Sequence, residues 1–167
     1  DLNYSVINID KLSYASHPNC LDKIKGSKKY FFEKADICNK KLVNEIFDKY
    51  SPDGLIHFAA ESHVDNSISN PDLFIESNIV GTLNLLEATR LYFKKIDNNK
   101  KNNFRFLHIS TDEVFGDLNK GDSPFDESNK YFPSSPYSAS KASSDHLVSA
   151  WNRTYDIPTI ISNCSNN

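Results

Sequence analysis

Two short stretches hold residues whose types and spacing could do chemistry: Ser110-Thr111-Asp112-Glu113 and Tyr137-x-x-x-Lys141. The first sets two hydroxyls beside two adjacent carboxylates, directly after the apolar, β-prone run from Phe104 to Ile109. The second separates a phenol from an ammonium by four positions, which on a helix puts both on one face. A nearby lysine lowers a phenol's pKa electrostatically. The phenolate can then take a hydroxyl proton while a hydride leaves for a nicotinamide. Adjacent carboxylates suit an elimination, with one ionised as base and the other protonated as acid. No third ligand stands at a fitting spacing for a metal, so none is expected.

These residues need elements to hold them. Strand candidates are Ser5 to Asp10, Tyr30 to Asp36, Leu55 to Ala60, Phe104 to Ile109 and Thr159 to Cys164, short apolar or β-branched runs of the kind found in buried parallel strands. Between them, Lys40 to Tyr50 carries Leu42, Val43, Ile46 and Phe47 at helical spacing and stops at Ser51-Pro52-Asp53-Gly54. Asn70-Pro71-Asp72 is a helix start, and that helix is expected to run unbroken to about Lys95. Its apolar residues cover more than one face, which suits packing on a sheet and on a second subunit. Gly81 inside it costs about 1 kcal/mol against Ala, so a close neighbour is expected there. Residues 97–103 read as a polar loop and residues 117–135 as a long loop beside the site. Ser135-Pro136 opens a last helix that ends near Tyr155.

Alternating strands and helices give the fold class: α/β, a doubly wound parallel sheet of the nucleotide-binding Rossmann kind. Ligands of such sheets sit at the carboxyl ends of the strands. Asp10 and Asp36 close the first two strand candidates, where Asp10 can meet a ribose and Asp36 an adenine edge, or either can simply form a turn. Ala59 and Ala60 are small enough to let a cofactor lie against the backbone. His63 follows them, and a lone histidine is more often structural than catalytic.

The pattern Tyr137-Ser138-Ala139-Ser140-Lys141 resembles the active-site motif of the extended short-chain dehydrogenase/reductases. Within that group, His108 to Gly116 resembles the nucleotide-sugar 4,6-dehydratases. Asp10 to Ala15, Ala59 to Asp65, Ser134 to Tyr137 and Asn163 to Asn167 are similar to those acting on dTDP-glucose. The resemblance covers essentially the whole chain. It implies NAD as cofactor and a nucleotide-sugar substrate. It implies catalytic roles for Thr111, Asp112, Glu113, Tyr137 and Lys141. Cofactor contacts are implied at Asp10, Lys11, Leu12, Ser13, Asp36, Ile37, Phe58, Ala59, Ala60, Ser62, Ser77, Tyr137, Lys141 and Asn167, and substrate contacts at Ser62, Thr111 and Asn166. It further implies dTDP-4-keto-6-deoxyglucose as product, a precursor of rhamnose, and a homodimer through the helices 71–95 and 136–155.

The chain departs from the family at Ser16, which is usually Gly, and at Ser77, often Thr. It also lacks the Gly-rich phosphate loop expected before the first strand and the substrate domain expected after the last. Residues 1–167 are therefore expected to be a partial NAD-binding domain. Another nucleotide-sugar dehydratase, a 4-epimerase, or a non-catalytic piece that only dimerises are the alternatives. An epimerase would not need Asp112-Glu113.

Composition narrows the partners. A net charge of −3 gives no footprint for nucleic acid. No apolar run is long enough to span a bilayer, so no membrane is expected. Three scattered cysteines, Cys20, Cys38 and Cys164, fit reduced thiols and a cytoplasmic setting.

Overall fold

The computed structural model describes residues 4–165. Five strands form where the apolar runs lie: β1 Val6–Asp10, β2 Tyr30–Lys34, β3 Leu55–His57, β4 Phe106–Thr111 and β5 Thr159–Cys164. All pairings are parallel. β1 pairs with β2, and a separate sheet has the order β3-β4-β5. Several strand ends differ from expectation. β2 stops at Lys34, short of Asp36, and β3 stops at His57, leaving Phe58 to Ala60 outside the ladder, while β4 starts at Phe106 and continues through Ser110 and Thr111. The later end of β4 is explained by its register, since Ser110 and Thr111 pair with Asn163 and Cys164 of β5.

The pleat decides which strand residues meet the helices, because successive side chains face opposite ways. His57, His108 and Ile161 share one cross-strand row and face the helical side, while Ile56, Leu107 and Ile160 form the next row on the other face. His57 and His108 are buried, whereas Ile56 and Ile160 are exposed. Of a doubly wound arrangement, the described residues thus supply one helical layer. The main core combines Val43 and Phe47 of α1 (Lys40–Tyr50), Leu85, Leu86 and Tyr92 of α4 (Gly81–Phe93), and Val148 of α6 (Pro136–Tyr155) with Phe104, Phe106 and Ile157.

Capping sets the helix boundaries. Asn39 accepts from the Leu42 amide to start α1, and Ser51 ends it in the left-handed conformation. Ser135 and Ser138 close a reciprocal capping box at the start of α6, with Pro136 in the first turn. Residues 97–103, expected as a loop, contain helix α5 (Asn98–Asn103), because the Asp97 side chain accepts from the Lys100 amide as an N-cap.

The expected unbroken helix over 70–95 is divided. α2 (Val64–Ser69) precedes it, and Asn70 ends α2 without capping α3 (Pro71–Phe74) through its side chain. A π-helical segment, Ile75–Val80, then joins α3 to α4. The cause is a convergence on one carbonyl: Thr82 Oγ1 and, from α6, Ser144 Oγ both donate to the Asn78 carbonyl and compete with its regular helical pairing. Gly81 follows immediately, and a Cβ there would meet Ile37 Cδ1 at 2.5 Å. Ile37 is packed in the core, and its Cγ1 would also be met at 2.7 Å, so both atoms would have to shift. Overpacking at about 1–3 kcal/mol outweighs the roughly 1 kcal/mol gain in helix propensity. Gly81→Ala is therefore expected to lower the midpoint of thermal unfolding of the full-length protein. An unchanged or higher midpoint would contradict the packing described.

Candidate active site

The carboxyl end of β4 turns directly into a 3-10 helix, Asp112–Phe115, which presents both carboxylates. Thr111 holds this turn: its hydroxyl oxygen accepts from the Glu113 amide at 3.2 Å, and its carbonyl accepts from Asn163 Nδ2 at 3.1 Å. Gly116 ends the turn at φ 99°, a conformation that side chains avoid, and a Cβ there would meet the Phe132 carbonyl oxygen at 2.7 Å. Asp112 and Glu113 are half-buried. Burial, with Asp112 and Asp117 alongside, pushes the Glu113 carboxyl above its ordinary value. A carboxylate raised in this way is a better base near neutral pH.

The first turn of α6 brings Tyr137 to the same place. Its ring meets Phe74 edge-on with centroids 6.4 Å apart. The nearby Thr111 side chain favours the phenolate, but burial and then the charge of Glu113 outweigh this and push the phenol's pKa up. The lowering expected from Lys141 is therefore not what the structure gives. The reason is geometric, since the Lys141 ammonium donates to the Ile109 carbonyl at 2.7 Å. Lys141 itself is buried, and burial brings its pKa down to about 8.

Thr111, Asp112, Glu113, Tyr137 and Lys141 are thus gathered around the end of β4. Most of the other expected cofactor positions lie beyond β1, β2 and β3. Asp10 Oδ1 accepts from the Leu12 amide at 2.6 Å and from Ser16 Oγ at 3.2 Å, so it shapes its own turn, with Leu12 at φ 57°. Asp36 likewise accepts from the Cys38 amide. Lys11 reaches across to Glu61 at 3.0 Å, which joins the loops after β1 and β3. A groove of about 420 Å³ is lined by Lys11, Ser13, Ala35, Asp36 and Leu42. It offers carboxylate, hydroxyl and ammonium groups beside apolar surface, a donor set that fits the adenosine side of a dinucleotide.

Phe58, Ala59 and Ser62 are exposed and Ala60 half-buried on the path between that groove and β4. Ile37 packs in the core, and Ser77 is buried in the π-helical segment. Asn166 and Asn167 lie outside the described residues. A larger cleft, lined by Arg90, Lys94, Lys101 and Arg105 among others, sits at the opposite end of β4 and β5, away from all of these groups.

Sequence reasoning missed three supporting residues. Asn78 pins the loop after β3: its Oδ1 accepts from the Glu61 amide at 2.8 Å, and its Nδ2 donates to the Glu61 carbonyl at 2.9 Å and to Ser140 Oγ at 2.8 Å. His108 and Asp145 form a buried pair behind β4. The signal at Asn78 was a polar residue between Ile75 and Ile79, whereas Asp145 lies on an inner face of α6 rich in serines and stands out less.

Parallel strands whose carboxyl ends gather the reacting groups, under one layer of helices, define a Rossmann-like α/β protein. The sequence pattern of the GDP-mannose 4,6 dehydratase family matches residues 1–167, and the chain belongs to that family. It is 57% identical over 171 aligned positions to the dTDP-glucose 4,6-dehydratase of Salmonella typhimurium, covering 98% of this chain and 47% of that one. Among solved structures, a double mutant of the dTDP-glucose 4,6-dehydratase of Streptomyces venezuelae, with NAD bound, superimposes with a TM-score of 0.85. The two are 34% identical, over 96% of this chain and 46% of that one. The dTDP-glucose 4,6-dehydratase of Bacillus anthracis, in complex with NAD, gives 0.83 at 34% identity over 99% and 47%. The chain therefore spans about half the length of the relatives it matches.

Proposed function

We propose that this chain carries the reacting groups of an NAD-dependent hydro-lyase that converts dTDP-glucose to dTDP-4-keto-6-deoxyglucose, in nucleotide-sugar metabolism leading to rhamnose. The observation that carries the reading is that the turn presenting Asp112 and Glu113 at the end of β4 packs against α6, whose first turn carries Tyr137. A 4-epimerase would use Tyr137 and Lys141 without needing a carboxylate beside them. The dTDP-glucose relative at 57% identity favours that nucleotide and sugar over the GDP-mannose of the family's description.

Each residue then has one task. Thr111 hydrogen-bonds the Tyr137 phenol, and Tyr137 takes the proton of the sugar C4 hydroxyl. The Lys141 ammonium, held on the Ile109 carbonyl rather than on the phenol, supplies the positive charge at this buried end of the site. The C4 ketone acidifies the hydrogen on C5, and Glu113 removes it. Asp112 delivers a proton to the C6 hydroxyl, which leaves as water, and C5 is then reprotonated. NAD, when bound, supplies the two-electron acceptor for C4 and the donor for C6, and it is regenerated in each turnover. Asp10, Lys11, Ser13 and Asp36 would hold its adenosine side. Leu12, the backbone at Ile37, residues 58–60, Ser62, Ser77 and Asn167 would continue the site, with Tyr137 and Lys141 at its reactive end. Ser62, Thr111 and Asn166 would contact the sugar nucleotide.

Two further points belong to this reading. A second copy packs on the helices of residues 71–95 and 136–155, supported by exposed Leu73, Ile75, Val80 and Tyr155. The setting is cytoplasmic, supported by three free cysteines. Among the described residues no helix is long and apolar enough to cross a membrane.

The test is turnover by the full-length protein of dTDP-glucose, GDP-mannose and UDP-glucose, followed by formation of the 4-keto-6-deoxy sugar. Size-exclusion chromatography and cell fractionation of the same protein test the other two points. Loss of water from dTDP-glucose is expected. Epimerised sugar, or no reaction with any of the three, would overturn the reading, and a strict monomer or a membrane-bound pool would overturn the two additions.

A further inference from the structure

Behind the catalytic strand lies a polar cluster that the proposed chemistry does not use. Asp145 is 1% exposed and sits on α6 one turn beyond Lys141, on the same inward face. Its Oδ2 accepts from Ser110 Oγ of β4 at 2.7 Å and from the Tyr131 hydroxyl at 3.0 Å. Its Oδ1 lies 3.2 Å from His108 Nε2, but poor alignment leaves this contact electrostatic rather than a formed hydrogen bond. Tyr131 belongs to the long loop of residues 117–135, and its ring packs edge-on against Phe115, the last residue of the turn that presents Asp112 and Glu113.

A buried aspartate whose Oδ2 is held by two hydroxyls could simply staple the fold. Lys141 points to more. Its ammonium is 4% exposed, it donates to one carbonyl, and it makes no ion pair within 4 Å among the described residues. A buried cation is costly without an opposite charge nearby. Asp145 is the one charged group whose field counters the effect of burial on Lys141.

We propose that Asp145 is a positioning residue for the Tyr137–Lys141 pair: its buried carboxylate is the counter-charge of the Lys141 ammonium and the anchor that ties the 117–135 loop to β4. The role rests on the reading of Tyr137 and Lys141 given above. The groups around it are consistent with that assignment. On β4, His108 is held below its ordinary value, chiefly by burial, and His57 of β3, behind it with ring centroids 5.1 Å apart, is lowered further for the same reason. Neither imidazole therefore competes as a cation. On the loop, Tyr131 is pushed up to about 12 by burial and then by Asp145, so it stays a donor. β5 contributes the uncharged Asn163. Tyr137, on the same helix, also feels the Asp145 charge, after the larger effects of burial and Glu113.

The sign of the effect follows. Removing the carboxylate's charge leaves burial of Lys141 unopposed, so the ammonium loses its proton at lower pH. In the full-length protein, Asp145→Asn is expected to move the Lys141 titration, followed by nuclear magnetic resonance with isotope-labelled lysine, to lower pH by about one unit. The alkaline limb of kcat with dTDP-glucose should move with it. Tyr131→Phe, which removes a loop contact but no charge, should leave both where they are. Should Asp145→Asn fail to fold, Asp145→Ser carries the same comparison. A variant that titrates like the parent, with kcat lowered equally at every pH, would overturn the proposal and leave a structural staple. The titration needs no substrate, so a protein inert toward dTDP-glucose would refute the dehydratase reading separately from this one.

Discussion

Tyr137→Phe is expected to lower kcat for dTDP-glucose by about 10²–10⁴-fold, the usual contribution of a positioned acid–base group. The substitution removes one oxygen and little else. The ring of Tyr137 packs on Phe74, and Phe can keep that contact, so the site should stay folded. What disappears is the acceptor for the C4 hydroxyl proton and the partner of the Thr111 side chain. Because the first chemical step is lost, both oxidation at C4 and hydrogen exchange at C5 should vanish together. Rapid C5 exchange into solvent deuterium by the Phe variant would remove Tyr137 from its role.

Glu113→Gln separates the two halves of the reaction. The amide is close in size to the carboxylate and leaves the backbone turn intact, since Thr111 receives its hydrogen bond from the Glu113 amide nitrogen and not from the side chain. Oxidation at C4 should persist, while C5 exchange and water loss fall by about 10²–10⁴-fold. The pH dependence has a definite sign. A base must be ionised, and Glu113 is raised above its ordinary value by burial and by Asp112 and Asp117. Water loss by the parent protein should therefore decline as pH falls, beginning above the ordinary glutamate range. If the variant exchanged C5 hydrogen at the parental rate, another group would be the base.

The strands were legible because each is a compact apolar run, α1 because Leu42, Val43, Ile46 and Phe47 recur at helical spacing before Ser51-Pro52-Asp53-Gly54, and α6 because Ser135-Pro136 spells its start. The breaks in residues 64–93 were not legible. Their apolar spacing continues across Ile75 to Val80, and the bulge depends on Thr82 and Ser144, the latter far along the chain, converging on one carbonyl. Helix α5 was missed because its residues are all polar, so only the Asp97 cap marks it. At the site, the reacting residues lie close in sequence and could be picked out together. The direction of Lys141 toward Ile109, rather than toward an easing of the phenol's ionisation, arises from how α6 lies on β4, which no spacing rule contains.

The inner side of α6 is lined by Ser138, Ser140 and Ser144, all buried and all hydrogen-bonded. Short side chains have little rotamer freedom to lose on burial, far less than the long polar chains that commonly line ligand sites. The framework around Tyr137 and Lys141 is thus ordered at little entropic cost, and that cost is met when the chain folds. A ligand arriving at this end of the sheet meets groups that are already in place, so more of its binding free energy remains to be expressed as affinity or as rate.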